Sequence, residues 1–327
     1  MILKKYNEIM AMPLKEEKYL VDKLILENTI GMICAPPKKL KSIFTQELAI
    51  ACSSDKEGLF LGKFKTRPCK VIIIDKENTF NKIHKRLDKL TRTDEVKDLN
   101  LWVIKNSSDH NLLFYNKESA NQDNETTYLI KQLKPIKPDI LILDSLIRFH
   151  TSEENSSTEM SKVYNVLDRI RTELNCTIIC IHHTNKLGKS RGSSDLQAMV
   201  DWQYRIDTNN KKKYILTVEE CRDKQELDGF EFLFWEDETT NKLHLQFEKY
   251  ITSQDDYKGG PRIYMKDEAK KNILDYIENY SITEFETKDI KTWYPKMKGN
   301  AKSDALKELV EKDEFLAKTG QGKYIVI

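Results

Sequence analysis

Four apolar runs decide the class of this 327-residue chain before any single motif is weighed. They lie at residues 71–74, 101–104, 140–143 and 177–181, each short and rich in β-branched side chains, as strands buried on both faces are. Between them come stretches with apolar residues at helical spacing, at 81–90, 128–133 and 158–174. The last of these puts Met160, Val163, Val166, Leu167 and Ile170 on one face. Strands alternating with helices in this way predict an α/β fold built on a mostly parallel sheet with both faces covered.

The runs end in polar groups. Asp75 and Glu77 follow the first, Asp144 closes the third, and His182 and His183 close the fourth. The carboxyl ends of parallel strands are where open α/β sheets build their sites. A fifth run, residues 30–35, passes into Pro36-Pro37-Lys38-Lys39-Leu40-Lys41-Ser42, with Ile43, Phe44, Leu48, Ala49 and Ile50 forming an apolar helical face behind it. The frame from Ala35 to Ser42 has the spacing of a phosphate-binding loop, in which backbone amides wrap the phosphates, a Lys pairs with the outer ones and a hydroxyl holds Mg2+. Lys41 and Ser42 occupy those two places, while Ala35 and Leu40 stand where glycines are usual because a β-carbon hinders the backbone there. Read alone, the segment is more often a basic surface turn than a nucleotide site. Asp144 reads either as a strand cap or as a carboxylate facing a nucleotide-bound Mg2+. Glu77 reads as a solvated loop residue or as a base for an attacking water. Two adjacent histidines on a strand cannot both face inward, so one packs and the other faces the site.

From residue 201 the texture changes. Stretches at 202–206, 213–218, 231–235 and 242–247, separated by turns, predict antiparallel strands added to the sheet edge. Residues 1–26 read as a helical lead-in through Leu20, Val21, Leu24 and Ile25, and the polar stretch 106–126 as a long loop. The α/β domain is expected over 27–252, followed by a linker at 253–262 that contains Gly259-Gly260-Pro261. In the remaining 263–327, helical segments at 266–280, 287–293 and 303–310 precede a terminal hairpin, the pattern of a winged helix. A formal charge of +2 announces no polyanion partner at the level of the whole chain, so DNA contacts are expected from local patches. The basic loop with Lys186, Lys189 and Arg191 is one, and Lys298, Lys302 and Lys323 in the C-terminal segment are another. Six scattered cysteines give no paired metal spacing, and Cys176 and Cys180 read as core thiols on a strand. With no secretory or membrane-spanning run, the cytoplasm is the expected compartment.

Taken in order, the loop 35–42, Ile74-Asp75-Lys76-Glu77, Ile142-Leu143-Asp144-Ser145, Glu154-Asn155-Ser156, Ile181 to Lys186, Arg191 to Ser194 and Val218 to Asp223 resemble the RepA-like, DnaB-related branch of the RecA-type hexameric ATPases. The resemblance spans about residues 27–247. It implies a RecA-like core, ATP and Mg2+ as ligands, a homo-hexameric ring and DNA as partner. It implies Lys41 and Ser42 on phosphate and Mg2+, Glu77 as catalytic base, Asp144 as second Mg2+ partner, His183 as γ-phosphate sensor and Arg222 as a finger reaching a neighbouring subunit. Arg86 falls on a frequent Arg position of that family. Glu220 departs from it, standing where a basic residue usually accompanies the finger. The expected activity is a replicative helicase of a plasmid, virus or mobile element. The alternatives are a weakly hydrolysing helicase loader and a transcriptional regulator that uses the core to oligomerise.

Overall fold

The computed structural model describes residues 4–13, 17–91, 98–105, 115, 122–154, 156–184, 199–208, 213–221, 229–251, 269–270, 272–274, 276–277, 280, 282–293, 299–311, 315–320 and 322–326. They fall into two compact units, one within residues 1–255 and one within 256–327.

The first unit is a nine-stranded sheet. Its strands are β3 (Ile30–Ala35), β6 (Val71–Asp75), β7 (Leu101–Ile104), β8 (Ile140–Asp144), β9 (Thr177–His183), β10 (Trp202–Thr208), β11 (Lys213–Cys221), β12 (Gly229–Glu236) and β13 (Leu243–Tyr250). They lie in the order β13-β12-β11-β10-β3-β9-β8-β6-β7. All neighbours from β10 to β7 pair in parallel, while β10 to β13 run antiparallel. The α/β class and the antiparallel extension therefore stand as the sequence predicts.

Alternation along each strand divides the core into two layers. Ile33, Val71, Ile73, Ile140, Ile142, Ile179 and Ile181 face one side, where α2 (Lys41–Ser53) lays Phe44, Leu48, Ala49 and Cys52. Met32, Cys34, Ile72, Ile74, Leu141, Leu143, Ile178 and Cys180 face the other, under α4 (Gln122–Leu133) and α5 (Ser157–Leu174). Each fully buried aliphatic side chain is worth about 1.5–3 kcal/mol, so these central strands dominate the hydrophobic driving force. Cys176 and Cys180 are buried thiols, as expected. At Gly31 the absence of a side chain is obligatory, because a Cβ would sit 1.9 Å from the Trp202 indole.

Two local readings change. Residues 19–26 are not helical: β1 (Tyr19–Val21) and β2 (Ile25–Leu26) join β4 (Gly58–Phe60) and β5 (Phe64–Thr66) in a small antiparallel sheet. Four apolar residues fit a helix or a hairpin equally, and here Lys23, at φ 60°, turns the chain back. Among the described residues of the lead-in, α1 (Tyr6–Met10) alone is helical. The stretch read as a loop to residue 126 ends sooner, since α4 begins at Gln122.

The second unit contains α6 (Thr287–Trp293), α7 (Gly299–Glu311) and a three-stranded antiparallel sheet of β14 (Glu284–Glu286), β16 (Lys323–Val326) and β15 (Leu316–Gly320), in that order. Its core holds Ile273, Phe285, Ile290, Leu306, Leu309 and Leu316. Among the described residues no helix is long and apolar enough to cross a membrane.

Candidate functional site

Register brings the strand ends level. Ala35 lies opposite His183 in the β3–β9 ladder, and Asp75 opposite Asp144 in the β6–β8 ladder. Above them opens a cleft of ≈ 330 Å³ lined by Lys38, Lys39, Leu40, Lys41, Ser42, Ile43, Glu77, Asn78, Lys82, Arg86, Asp144 and His183. Asn78 and Lys82 were not singled out in the sequence; they arrive because α3 (Phe80–Leu90) starts at the cleft's edge, capped by the Thr79 hydroxyl.

The turn from β3 into α2 forms the floor. Ala35 ends the strand fully buried and outside the left-handed backbone region, so alanine is accommodated there. Lys38, at φ 62°, and Leu40, at φ 41°, both take left-handed backbone angles. A left-handed conformation costs a residue with a β-carbon about 1–2 kcal/mol, offset here by packing of the half-buried Leu40 side chain on the core. Leu40 also serves as the N-cap of α2 and supplies no side-chain cap. The amides of that helix end and its dipole therefore face the cleft, an arrangement that attracts anions.

Lys41 is 6% exposed, and its ammonium donates to the carbonyls of Ala35 (2.8 Å) and Pro36 (2.9 Å). Burial lowers it to about 8, against the pull of Asp144, Cys34 and Glu77. Asp144, 3% exposed, has the Ser42 hydroxyl beside it. Burial lifts its carboxyl to about 6, with Asp75 and Glu77 adding to the rise and Ser42 and Arg86 opposing it. Arg86 brings a guanidinium whose Nη1 is buried without a hydrogen-bond partner. A buried donor without a partner costs about 1–3 kcal/mol or more when charged, and an anion in the cleft would supply what it lacks.

Asp75, fully buried, builds the turn that carries Glu77. Its Oδ1 accepts from the amides of Glu77 (2.8 Å) and Asn78 (2.7 Å), and its Oδ2 from the Asn78 side chain (2.8 Å). Glu77 Oε1 accepts from the Ser145 hydroxyl at 2.6 Å and lies 3.8 Å from both His183 Nε2 and Arg148 Nε. His183, then Ser145 and Arg148, hold the Glu77 carboxyl down at about 2 despite its partial burial. At 3.8 Å the histidine stands beyond hydrogen-bond length, which leaves Ser145 as the firm contact. The histidine pair divides as strand alternation requires: His183 faces Glu77, while His182 is 1% exposed and lies 3.8 Å from Glu154.

Five cationic side chains and two carboxylates thus line a cleft at the uncapped start of a helix, which suits a polyanion carrying a divalent cation. Among the described residues no three His, Cys, Asp or Glu side chains form a metal cage of their own. Ser42 and Asp144, both lining the cleft, are the pair that could hold Mg2+ beside phosphate oxygens.

Arg222, Lys186, Lys189, Arg191 and Lys298 lie outside the described residues. In the second unit Lys302 donates to the Thr287 carbonyl at 3.3 Å, and Lys323 sits 3.7 Å from Glu286, so both lysines have internal partners.

Comparison with protein families matches residues 4–189 to the AAA domain model. The chain belongs to the AAA domain family. The AAA domain match takes in the phosphate loop, Glu77, Arg86, Asp144 and His183, all from one continuous segment of chain. Arg222 and the second unit fall beyond it. Among solved structures, a KaiC-like protein of the hyperthermophilic archaeon Pyrococcus horikoshii is 13% identical, with the match covering 71% of this chain and 99% of that one at a TM-score of 0.45. At that distance the likeness transfers no residue role.

Proposed function

We propose that this AAA domain protein is a Mg2+-dependent ATPase acting on DNA, a ring-forming motor of the RepA-like, DnaB-related kind that serves replication of a plasmid, virus or mobile element. The observation that carries the reading is the gathering of Lys41, Ser42, Arg86, Glu77, Asp144 and His183 in one cleft at the start of α2. In this reading Lys41 leaves the Ala35 and Pro36 carbonyls to pair with phosphate, and Arg86 satisfies its buried Nη1 on the same anion. Ser42 and Asp144 hold Mg2+, which when bound neutralises charge on the phosphates. Glu77 orients the attacking water and receives its proton, and His183 links that carboxylate to the sheet.

Arg222 of a neighbouring copy supplies a further charge across the subunit boundary. Lys186, Lys189 and Arg191 grip single-stranded DNA in the pore of a homo-hexamer. The second unit acts as a winged helix, with Lys298, Lys302 and Lys323 on duplex phosphates, and the cytoplasm is the proposed compartment. Leu40 at φ 41° also favours a second reading, a loader that binds ATP and turns it over slowly.

The test is ATPase rate with and without single-stranded DNA, run beside an unwinding assay and solution mass with Mg2+ and nucleotide. DNA-stimulated turnover with unwinding by a species of hexameric mass supports the motor. Binding without unwinding supports the loader, and no ATP turnover with sequence-specific footprinting removes both.

A further inference from the structure

Glu77 is fixed at its backbone, and beyond it the side chain is held at one oxygen. The two amide bonds from Asp75 set the turn, but the glutamate side chain still has three torsions to settle before its carboxylate can face a water. Three donors converge on a single oxygen, Oε1. Arg148, with a side chain 63% exposed, and half-buried His183 both stand at 3.8 Å, beyond hydrogen-bond length. The Ser145 hydroxyl stands at 2.6 Å and comes from a residue 1% exposed. Its short side chain rises from the residue directly after Asp144, so its position is tied to the sheet rather than to a mobile chain.

A carboxylate has two oxygens, and a rigid donor on one sets the direction of the other. An uncharged hydroxyl does this without neutralising the carboxylate, whereas a close arginine would bind it as an ion pair.

We propose that Ser145 is a positioning residue that clamps Oε1 of Glu77 and thereby aims Oε2 at the water to be deprotonated. The inference rests on the ATPase reading given above. It requires no new covalent step: the proton from water passes to Glu77 while Ser145 keeps its own.

The test compares wild type, Ser145→Ala, Glu77→Gln and the double variant, all in the full chain. Single-turnover and steady-state ATPase rates are measured together with affinities for ADP and for ADP with aluminium fluoride and Mg2+. Ser145→Ala is expected to lower kcat about tenfold with KM unchanged, a fraction of the total that a general base supplies. Affinity for the fluoride complex should fall by a similar factor while affinity for ADP stays at the wild-type value. In the Glu77→Gln background, removing the hydroxyl should change nothing further, because its effect passes through the carboxylate.

Wild-type kcat in Ser145→Ala overturns the proposal. So does an equal loss in both backgrounds, or a parallel loss of ADP affinity, since each marks a merely structural serine. A wild type without any ATP turnover overturns the ATPase reading and this one with it, whereas active wild type with unaffected Ser145→Ala overturns this one alone.

Discussion

Replacing Lys41 by methionine should remove nucleotide binding and yet make the ligand-free protein more stable. Lys41 is 6% exposed, and its ammonium is held at about 8 from an ordinary 10.5, a fall of about 2.5. At about 1.4 kcal/mol for each tenfold, the buried charge costs the fold about 3–4 kcal/mol. Removing it strips two hydrogen bonds, but both carbonyls keep a partner. Ala35 O still accepts from the Thr184 amide at 3.2 Å, and Pro36 O from the Lys39 amide at 3.3 Å. With the lost contacts offsetting part of the gain, Lys41→Met should stabilise the unliganded chain by about 1–2 kcal/mol at pH 7.

The sign with pH follows from a folded value below the unfolded one. The cost is fully present below pH about 8 and is relieved as pH rises from there towards 10.5, so the advantage of methionine should shrink over that window. Urea unfolding of both proteins at pH 7 and pH 9.5, with ATP binding measured at pH 7, checks it. A variant less stable than wild type at pH 7, or a gain that grows with pH, would refute the account of Lys41 as a desolvated cation awaiting an anion.

Other expectations concern the loop, the base and the core. Leu40→Gly should relieve the left-handed strain and lose packing in nearly equal measure, leaving stability within about 1 kcal/mol while tightening ATP binding, as titration calorimetry would show. Glu77 is lowered to about 2 from 4.5, so its contribution to stability is present above pH 4.5 and lost as pH falls through 2. After a discount for its 30% side-chain exposure, Glu77→Gln should cost about 1 kcal/mol at pH 7, and less at pH 3, in denaturant titrations. Gly31→Ala drives a Cβ into the Trp202 indole and should destabilise by about 3 kcal/mol or prevent soluble expression.

The central strands were legible because a sheet buried on both faces leaves near-continuous apolar runs, and their polar ends announced where a site would form. Lys41, Ser42, Glu77, Asp144 and His183 reach one cleft for that reason, through a register that pairs Ala35 with His183 and Asp75 with Asp144. The small sheet of β1, β2, β4 and β5 was not legible. Its strands are two or three residues long, too short for a period of 2 to separate from a period of 3.6. Lys82 could not be foreseen as a cleft residue, since nothing in the sequence tells which way the exposed side of α3 points. Ser145 was hidden differently: it stands in a segment that carries the family resemblance, but its bond joins residues 68 apart, and its partner shows only once β6 and β8 are known to be neighbours. Leu40 shows the limit of motif matching, because the glycine position that mattered for backbone angle was the second one, and the first accepts alanine without strain.

Equilibrium titration of the full-length protein with Mg2+ and a non-hydrolysable ATP analogue, alongside Lys41→Met and Arg86→Ala, bears most directly on the cleft. One analogue bound per chain in wild type, with binding abolished in the first variant and weakened at least tenfold in the second, is the result expected. Equal binding by all three proteins, or none by wild type, would contradict a triphosphate site at the start of α2.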